Sequence, residues 1–470
     1  MKPRPYQYTI IEKVEKSLLS GGSPFVVAPT GSGKMVIIAA VAGLFDGNIL
    51  IVEHRDELID QAIEKLNIFG ITPGLVVSKR PDPNLLSSGR ITLDFNAKIK
   101  VSMIQTVNRR DLGDWKPDLI IIDEAHLSAA RSYVDLVARF GVQIVGFSAS
   151  PTRLDGKGFD HIFTELILGP SIAKLTEMGH LVPVDYVEFD VADFSKLNKI
   201  GGDYDQDEVG RILEEFSEDI VDTWKETCSD RPTVLFSSNV NQSKSLTTWF
   251  QKKGITAEHI DGKTPPGVRA AVINRFKSGK TRVLCNCGIV IEGFDAPLAS
   301  CVILAMSTLS LAKFLQCCGR GMRPDSESGK VNLVIFDFGN NHLTHGYPDQ
   351  DRTWTLAPKQ MNKRETSIEH IEYGDDEQEE SKRDDVKYEA GKYDYGIEES
   401  ETDAVRPARR VQHWQSGGLV VGAMPPPKFL PKQWITWWFD VERYRISRRL
   451  PVGYSENLAR DHMNKMLKKA

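Results

Sequence analysis

Short, largely apolar runs recur along the first three quarters of the chain, separated by stretches of helical periodicity. Phe25-Val26-Val27, Ile49 to Val52, Ile99 to Ser102, Leu119 to Ile122 and Ile144 to Phe147 form one series of five. Val234 to Phe236, Ala257 to Ile260, Arg282 to Cys285, Cys301 to Leu304 and Leu333 to Phe336 form a second. Runs with little polar alternation read as strands buried on both faces, and helix-length intervals between them are the rhythm of parallel α/β sheets. The pattern predicts two doubly wound sheets joined near residues 170–183, with ligands collecting beyond the carboxyl ends of the strands.

Composition changes this picture at its edges. The chain has 470 residues, 41% of them hydrophobic, enough to fill the cores of two to three domains. A net charge of −5 argues, taken alone, against a nucleic-acid partner, but the charge is unevenly placed. Residues 365–403 carry a net −12, which leaves +7 for the remainder, and residues 405–470 alone carry +9. The acidic stretch, with Gly374-Asp375-Asp376-Glu377-Gln378-Glu379-Glu380 within it, has too little apolar surface to order itself and reads as a solvated linker. Four segments are expected: lobes at 1–172 and 173–358, an acidic flexible linker at 359–404, and a small basic, Trp-rich region at 405–470. The six cysteines show no C-x-x-C spacing, which supports neither a disulfide framework nor a zinc ribbon and fits a reducing setting. No charged-then-apolar leader opens the chain, and no apolar run approaches the ~20 residues that cross a bilayer. A soluble, cytoplasmic protein without membrane contact is expected.

Two strand ends carry chemistry. After Phe25-Val26-Val27 comes Ala28-Pro29-Thr30-Gly31-Ser32-Gly33-Lys34, a Gly-rich turn whose backbone N–H groups suit the β- and γ-phosphates of a nucleotide, with Lys34 reaching the same oxygens. Further on, Ile120-Ile121-Ile122 ends in Asp123-Glu124-Ala125-His126. Facing that turn, Asp123 would hold Mg²⁺, usually through water, and Glu124 would orient and deprotonate an attacking water. Either half alone is weak, but the pair points to nucleotide hydrolysis. Met35 departs from the pattern, because the position after the lysine normally offers Mg²⁺ a hydroxyl and a thioether is a poor ligand for a hard cation. Two readings stay open: an ATPase in which water replaces the missing ligand, and a site that binds nucleotide but turns over slowly.

Taken together, the motifs resemble those of superfamily 2 DNA helicases and translocases, closest to the DEAH-type group of Rad25/Ssl2-like enzymes and compact phage helicases. The resemblance covers residues 1–358. Arg4-Pro5-Tyr6-Gln7 is similar to the adenine-reading Gln motif, which implies cofactor contacts for Arg4 and Gln7 beside Pro29, Thr30, Gly31, Ser32, Gly33, Lys34 and Met35. Glu53-His54-Arg55-Asp56-Glu57-Leu58 and Ser102-Met103-Ile104-Gln105-Thr106 resemble the nucleic-acid segments of the first lobe, implying backbone contacts for His54, Arg55, Gln105 and Thr106. For His54 and Arg55 the alternative is a strand-end cap. Ser148-Ala149-Ser150-Pro151-Thr152-Arg153 resembles the motif coupling hydrolysis to strand movement, although the family more often has Thr where Ser150 stands; His126 would link it to the ATP site through Ser148 and Ser150. Ile291-Glu292-Gly293-Phe294-Asp295-Ala296-Pro297 resembles motif V, placing Gly293 and Asp295 at the cofactor. Gln316-Cys317-Cys318-Gly319-Arg320-Gly321-Met322-Arg323 resembles motif VI, placing Gln316, Arg320 and Arg323 among the catalytic groups. Arg320 and Arg323, three apart, would share one face of a helical turn and stabilise charge on the γ-phosphoryl oxygens from across a cleft.

The resemblance implies two RecA-like lobes, ATP and Mg²⁺ as cofactors, and 3′-to-5′ movement along single-stranded, forked or branched DNA, in a host cytoplasm if the chain is phage-encoded. A nucleotide-gated DNA-loading factor and an RNA helicase remain alternatives. The tail has no family guide. Trp414, Trp434, Trp437 and Trp438 are interleaved with Arg443, Arg445, Arg448 and Arg449, which suits stacking on bases and pairing with phosphates. The spacing of Trp434, Trp437 and Trp438 equally suits the core of a small helical domain, through which replication or repair proteins could dock.

Overall fold

The computed structural model describes residues 2–76, 93–94, 96–289, 296–358 and 409–411. The first lobe holds β1 (Pro24–Val27), β2 (Ile49–Glu53), β3 (Gly74–Val76), β4 (Ile99–Met103), β5 (Leu119–Asp123), β6 (Gln143–Ser148) and β7 (Glu165–Leu168). They form one sheet in the order β3-β4-β2-β5-β6-β1-β7, with every pair parallel. The second lobe opens with β8 (Val184–Glu188) and a hairpin of β9 (Lys199–Ile200) and β10 (Asp203–Tyr204), turned by Gly201 and Gly202 at positive φ. It continues with β11 (Thr233–Ser237), β12 (Ala257–Ile260), β13 (Val283–Asn286), β14 (Cys301–Ala305), β15 (Leu333–Asp337) and β16 (Arg409–Val411). Its parallel sheet runs β12-β13-β11-β14-β15-β8-β16.

All ten expected strands are present, shifted by a residue or two at their ends. Their apolar runs are continuous because each strand faces two cores. Phe25 and Val27 join Leu50, Val52, Ile120 and Ile122 on one side of the first sheet, while Val26 joins Ile49, Ile51 and Ile121 on the other. The structure adds β3 and β7 to the first sheet and β8 and β16 to the second. β16 comes from the region expected to be a separate basic tail; the rest of 405–470, with its four tryptophans, lies outside the described residues, as does 359–404. Among the described residues no helix is long and apolar enough to cross a membrane.

Within residues 2–358 the chain crosses between the lobes at two places. The first crossing, at 169–171, falls at the start of the expected junction, since Ile172, Leu175, Leu181 and Val182 already belong to the second lobe's core. The second crossing was not foreseen. After the helix Asn341–His345, a strap runs back to the first lobe, where the Leu356 carbonyl accepts from Phe159 N (2.6 Å) and Asp160 N (3.2 Å). Trp354 packs against a core cluster of each lobe, and the Arg352 guanidinium donates to the carbonyls of His345, Tyr347, Pro348 and Gln350 to shape the bend. Replacing Trp354 by Ala should cost about 1–3 kcal/mol at this partly buried position. Hydrogen exchange at the Phe159 and Asp160 amides should accelerate by about tenfold or more, with β15 amides unchanged. Unchanged exchange at both would show that the strap is held without Trp354.

Candidate active site

The sheet order brings the chemistry together. β5, β6 and β1 are neighbours, with Asp123 paired to Phe147 and Val27 to Ser148, so the carboxylates, the Ser148 segment and the phosphate loop leave adjacent strand ends. Gly31 (φ +87°) and Gly33 (φ +80°) turn the loop into the helix Lys34–Leu44. A Cβ on Gly31 would sit 2.7 Å from Leu181 Cδ2, and one on Gly33 2.7 Å from Gln7 Nε2, so only glycine fits either place. Gln7 accepts from Arg4 N (2.7 Å) and donates to the Ser32 carbonyl (2.9 Å), which also accepts from Tyr6 OH (2.6 Å). Arg4, Tyr6 and Gln7 therefore brace the loop from behind. Tyr6 was missed in the sequence, where its only signal was adjacency to Gln7. Among the described residues the buried Ser32 hydroxyl has no hydrogen-bond partner, and with the glycine turn and helix N-terminus it suits phosphate oxygens.

Lys34, Asp123 and Glu124 form a buried charge cluster. Lys34 Nζ is in contact with Glu124 Oε1 and lies 3.3 Å from Asp123 Oδ1. Burial disfavours the Lys34 charge, but the two carboxylates outweigh it and hold its pKa above the ordinary value. Burial and the neighbouring Glu124 push Asp123 up, with Lys34 opposing. Burial also penalises Glu124, yet Lys34 and His126 hold it well below the usual carboxylate range. Glu124 is thus a charged acceptor, placed by a left-handed backbone (φ +49°) that is strained for a non-glycine and is fixed by its own N–H donating to Asp123 Oδ1 (2.9 Å). Hard carboxylate oxygens of this kind suit Mg²⁺.

From Glu124 a polar path runs to the coupling motif. His126 Nδ1 lies 3.3 Å from Glu124 Oε2 and 3.0 Å from Ser148 Oγ. Ser148 Oγ in turn donates to the Ser150 carbonyl (3.1 Å), and Thr152 donates to Ser150 Oγ (3.2 Å). The second lobe reaches the same carboxylate: Gln316 Nε2 donates to Glu124 Oε2 at 3.1 Å. At the end of its helix, Gly319 is so close to the loop that a Cβ there would lie 2.5 Å from Thr30 Cβ. The Arg323 stem passes Gly31, its Cγ 3.6 Å from where a Cβ would be. The expected shared helical face of Arg320 and Arg323 is corrected: the helix Leu311–Gly319 stops before both, Arg320 is its cap, and looser turns carry the chain to Arg323.

Other expected residues fall less simply. Met35 packs against the first lobe's core. Arg55 Nη1 donates across the lobes to the Gly288 carbonyl (3.2 Å), beside His54 at the end of β2. Gln105 is exposed, but Thr106 is 7% exposed, so of these two Gln105 is the accessible one. Gly293 and Asp295 lie outside the described residues.

Residues 1–153 match the family of the type III restriction enzyme res subunit, and residues 211–325 match the helicase conserved C-terminal domain. A 51.5 kDa protein of a Lactococcus phage (isolate 7-9) is 32% identical over 70% of this chain and 68% of its own length. The chain belongs to the superfamily 2 helicases. The helicase is also 28% identical to IRC3 of Saccharomyces cerevisiae, described as an ATP-dependent helicase, over 71% of this chain and 51% of that one. It is 24% identical to the DNA 3'-5' helicase XPB of Kineococcus radiotolerans, over 70% and 58%. It thus spans only about half of these two relatives' lengths. Its fold resembles an HsdR subunit fragment of a type I restriction enzyme from Vibrio vulnificus YJ016 (TM-score 0.57, 19% identity, 76% of this chain and 67% of that one). Two RecA-like lobes and ATP hydrolysis follow from this membership.

Gly319→Ala tests the approach of the second lobe of the helicase to the phosphate loop. The added methyl should leave melting within a few degrees but lower ATP turnover by about tenfold, some 1.4 kcal/mol of activation free energy. Unchanged turnover would mean that helix and loop stay apart during hydrolysis.

Proposed function

We propose that this helicase is a DNA translocase that couples ATP hydrolysis between its lobes to 3′-to-5′ movement, unwinding duplex or remodelling forked or branched DNA. The observation that carries the reading is the Gln316 to Glu124 hydrogen bond, which ties the water-activating carboxylate to the second lobe. The printed activity of the XPB relatives supports DNA and the polarity. ATP with Mg²⁺ supplies the reactive phosphoanhydride when bound. Lys34 would then exchange Glu124 for phosphate oxygens, Asp123 would hold the ion, and Glu124, freed as a base, would take the proton of the water whose oxygen bonds to the γ-phosphorus as the β–γ bridging P–O bond breaks and ADP leaves. Arg320 and Arg323 offset charge on the γ-phosphoryl group, and Arg55, His54 and Gln105 hold the strand.

Glu124→Gln is the decisive variant because it keeps shape and removes charge. Lys34→Ala is less clean, since breaking a buried pair costs about 3–5 kcal/mol in stability. Glu124→Gln should retain ATP binding and lose turnover by about 10³-fold or more. The wild type should be stimulated most by single-stranded or forked DNA, compared in parallel with RNA and with no polynucleotide. Stimulation by RNA alone would reverse the substrate assignment, and Glu124→Gln with normal turnover would remove the base.

The presence of both Asp123 and Glu124 beside Lys34 supports an ATPase that works without a loop hydroxyl, over a loading factor with a silent site. Met35→Thr should lower the Mg²⁺ concentration giving half-maximal turnover while raising the maximum by less than about threefold. A gain of about a hundredfold would instead support the loading-factor reading.

A further inference from the structure

Beneath the arginines of the second lobe, one lysine is drawn into the protein. Lys330 Nζ donates to three backbone carbonyls: Pro297 at 2.9 Å, Ala299 at 2.5 Å, and Gly321. Pro297 closes the stretch resembling motif V, and Gly321 lies between Arg320 and Met322 in the stretch resembling motif VI. A single ammonium therefore joins the end of one motif to the turn that carries the arginines of the other.

That turn needs an external hold. Its own backbone bonds, from Arg320 N to Cys317 O, Gly321 N to Cys318 O and Met322 N to Gly319 O, are long at 3.3–3.4 Å. Gly321 is pressed on the sheet, where a Cβ would lie 2.4 Å from Leu333 Cδ1. Burial lowers the Lys330 pKa to about 7, with Asp325 resisting and Arg231 and Arg323 adding to the fall. Three carbonyl acceptors pull the other way, since only the protonated amine has three N–H donors to satisfy them.

We infer that Lys330 is a positioning residue for ATP hydrolysis, clamping the turn from which Arg320 and Arg323 reach the phosphate loop. This rests on the assignment of those arginines to the γ-phosphoryl group. The side chain touches neither nucleotide loop nor carboxylates, so its effect should fall on the rate and not on nucleotide affinity.

The test compares Lys330→Met, Lys330→Arg, Arg320→Ala and Arg323→Ala in the full chain, measuring DNA-stimulated kcat and KM, affinity for a fluorescent ATP analogue, and melting temperature. Lys330→Met should lower kcat by about 30-fold with KM and analogue affinity within about threefold. Lys330→Arg, which still offers several N–H donors to the carbonyls, should recover to within about fivefold of the wild type. Wild-type kcat in Lys330→Met alongside impaired arginine variants would overturn the inference and leave the arginines in place. Equal losses in Lys330→Met and Lys330→Arg, with lowered melting temperature and weakened nucleotide affinity, would make the residue merely structural. Normal turnover in both arginine variants would remove the arginine assignment, and with it the role given to Lys330.

Discussion

One lysine faces two carboxyl groups where water is largely excluded, so the cost of burying Lys34, Asp123 and Glu124 together is one that their surroundings must offset. The hydrogen-bond donors that do so come from separate parts of the fold. The Glu124 amide turns onto Asp123, His126 approaches Glu124, and Gln316 arrives from the other lobe. Because a buried carboxylate is expensive to leave unpaired, the electrostatics of the cluster and the placement of the second lobe are one problem. Any shift of the Leu311–Gly319 helix changes the environment of the residue assigned to activate water.

The phosphate loop is where these parts meet, and its neighbours explain its composition. Gln7 lies behind Gly33, Leu181 and the Arg323 stem crowd Gly31, and Gly319 abuts Thr30. Three of these are glycines because a side chain on any would hold the segments apart. The loop is thus read by the first helix, by the inter-lobe segment and by the second lobe at once, a convergence that a nucleotide can strengthen or weaken through few atoms.

Much of the fold was legible because a strand buried on both faces has to be apolar throughout, and β1, β2, β5, β11, β14 and β15 announce themselves that way. β7 and β8 escaped notice because half-buried strands alternate, and Glu165 or Asp185 interrupts the signal. The clustering of Lys34, Asp123 and Glu124 was legible from the two strand-end motifs, and the approach of Gln316 to them only by resemblance. Tyr6 had no signal beyond its adjacency to Gln7, and Lys330 and Trp354 had none. Their meaning lies in contacts with residues 26, 9 to 33, and nearly 200 positions away, which no local pattern encodes. The helical turn expected for the two arginines failed for a local reason, since Gly319 and Gly321 on either side of Arg320 favour ending a helix.

One crossing follows β7, and the strap is held at Phe159 and Asp160, in the chain segment between β6 and β7. Were the lobes to rotate about the β7 border, displacement within the first sheet would grow with distance from that strand. Arg55, at the end of β2, stands four strand spacings from β7, a lever arm of roughly 19 Å. A swing of about 10° would carry the Arg55 end through about 3 Å, close to the ~3.4 Å rise of one nucleotide along a strand. The phosphate loop, on the strand next to β7, would move by only about a quarter as much. Such a rotation would displace the phosphate loop and the Arg55 edge in the ratio of their radii.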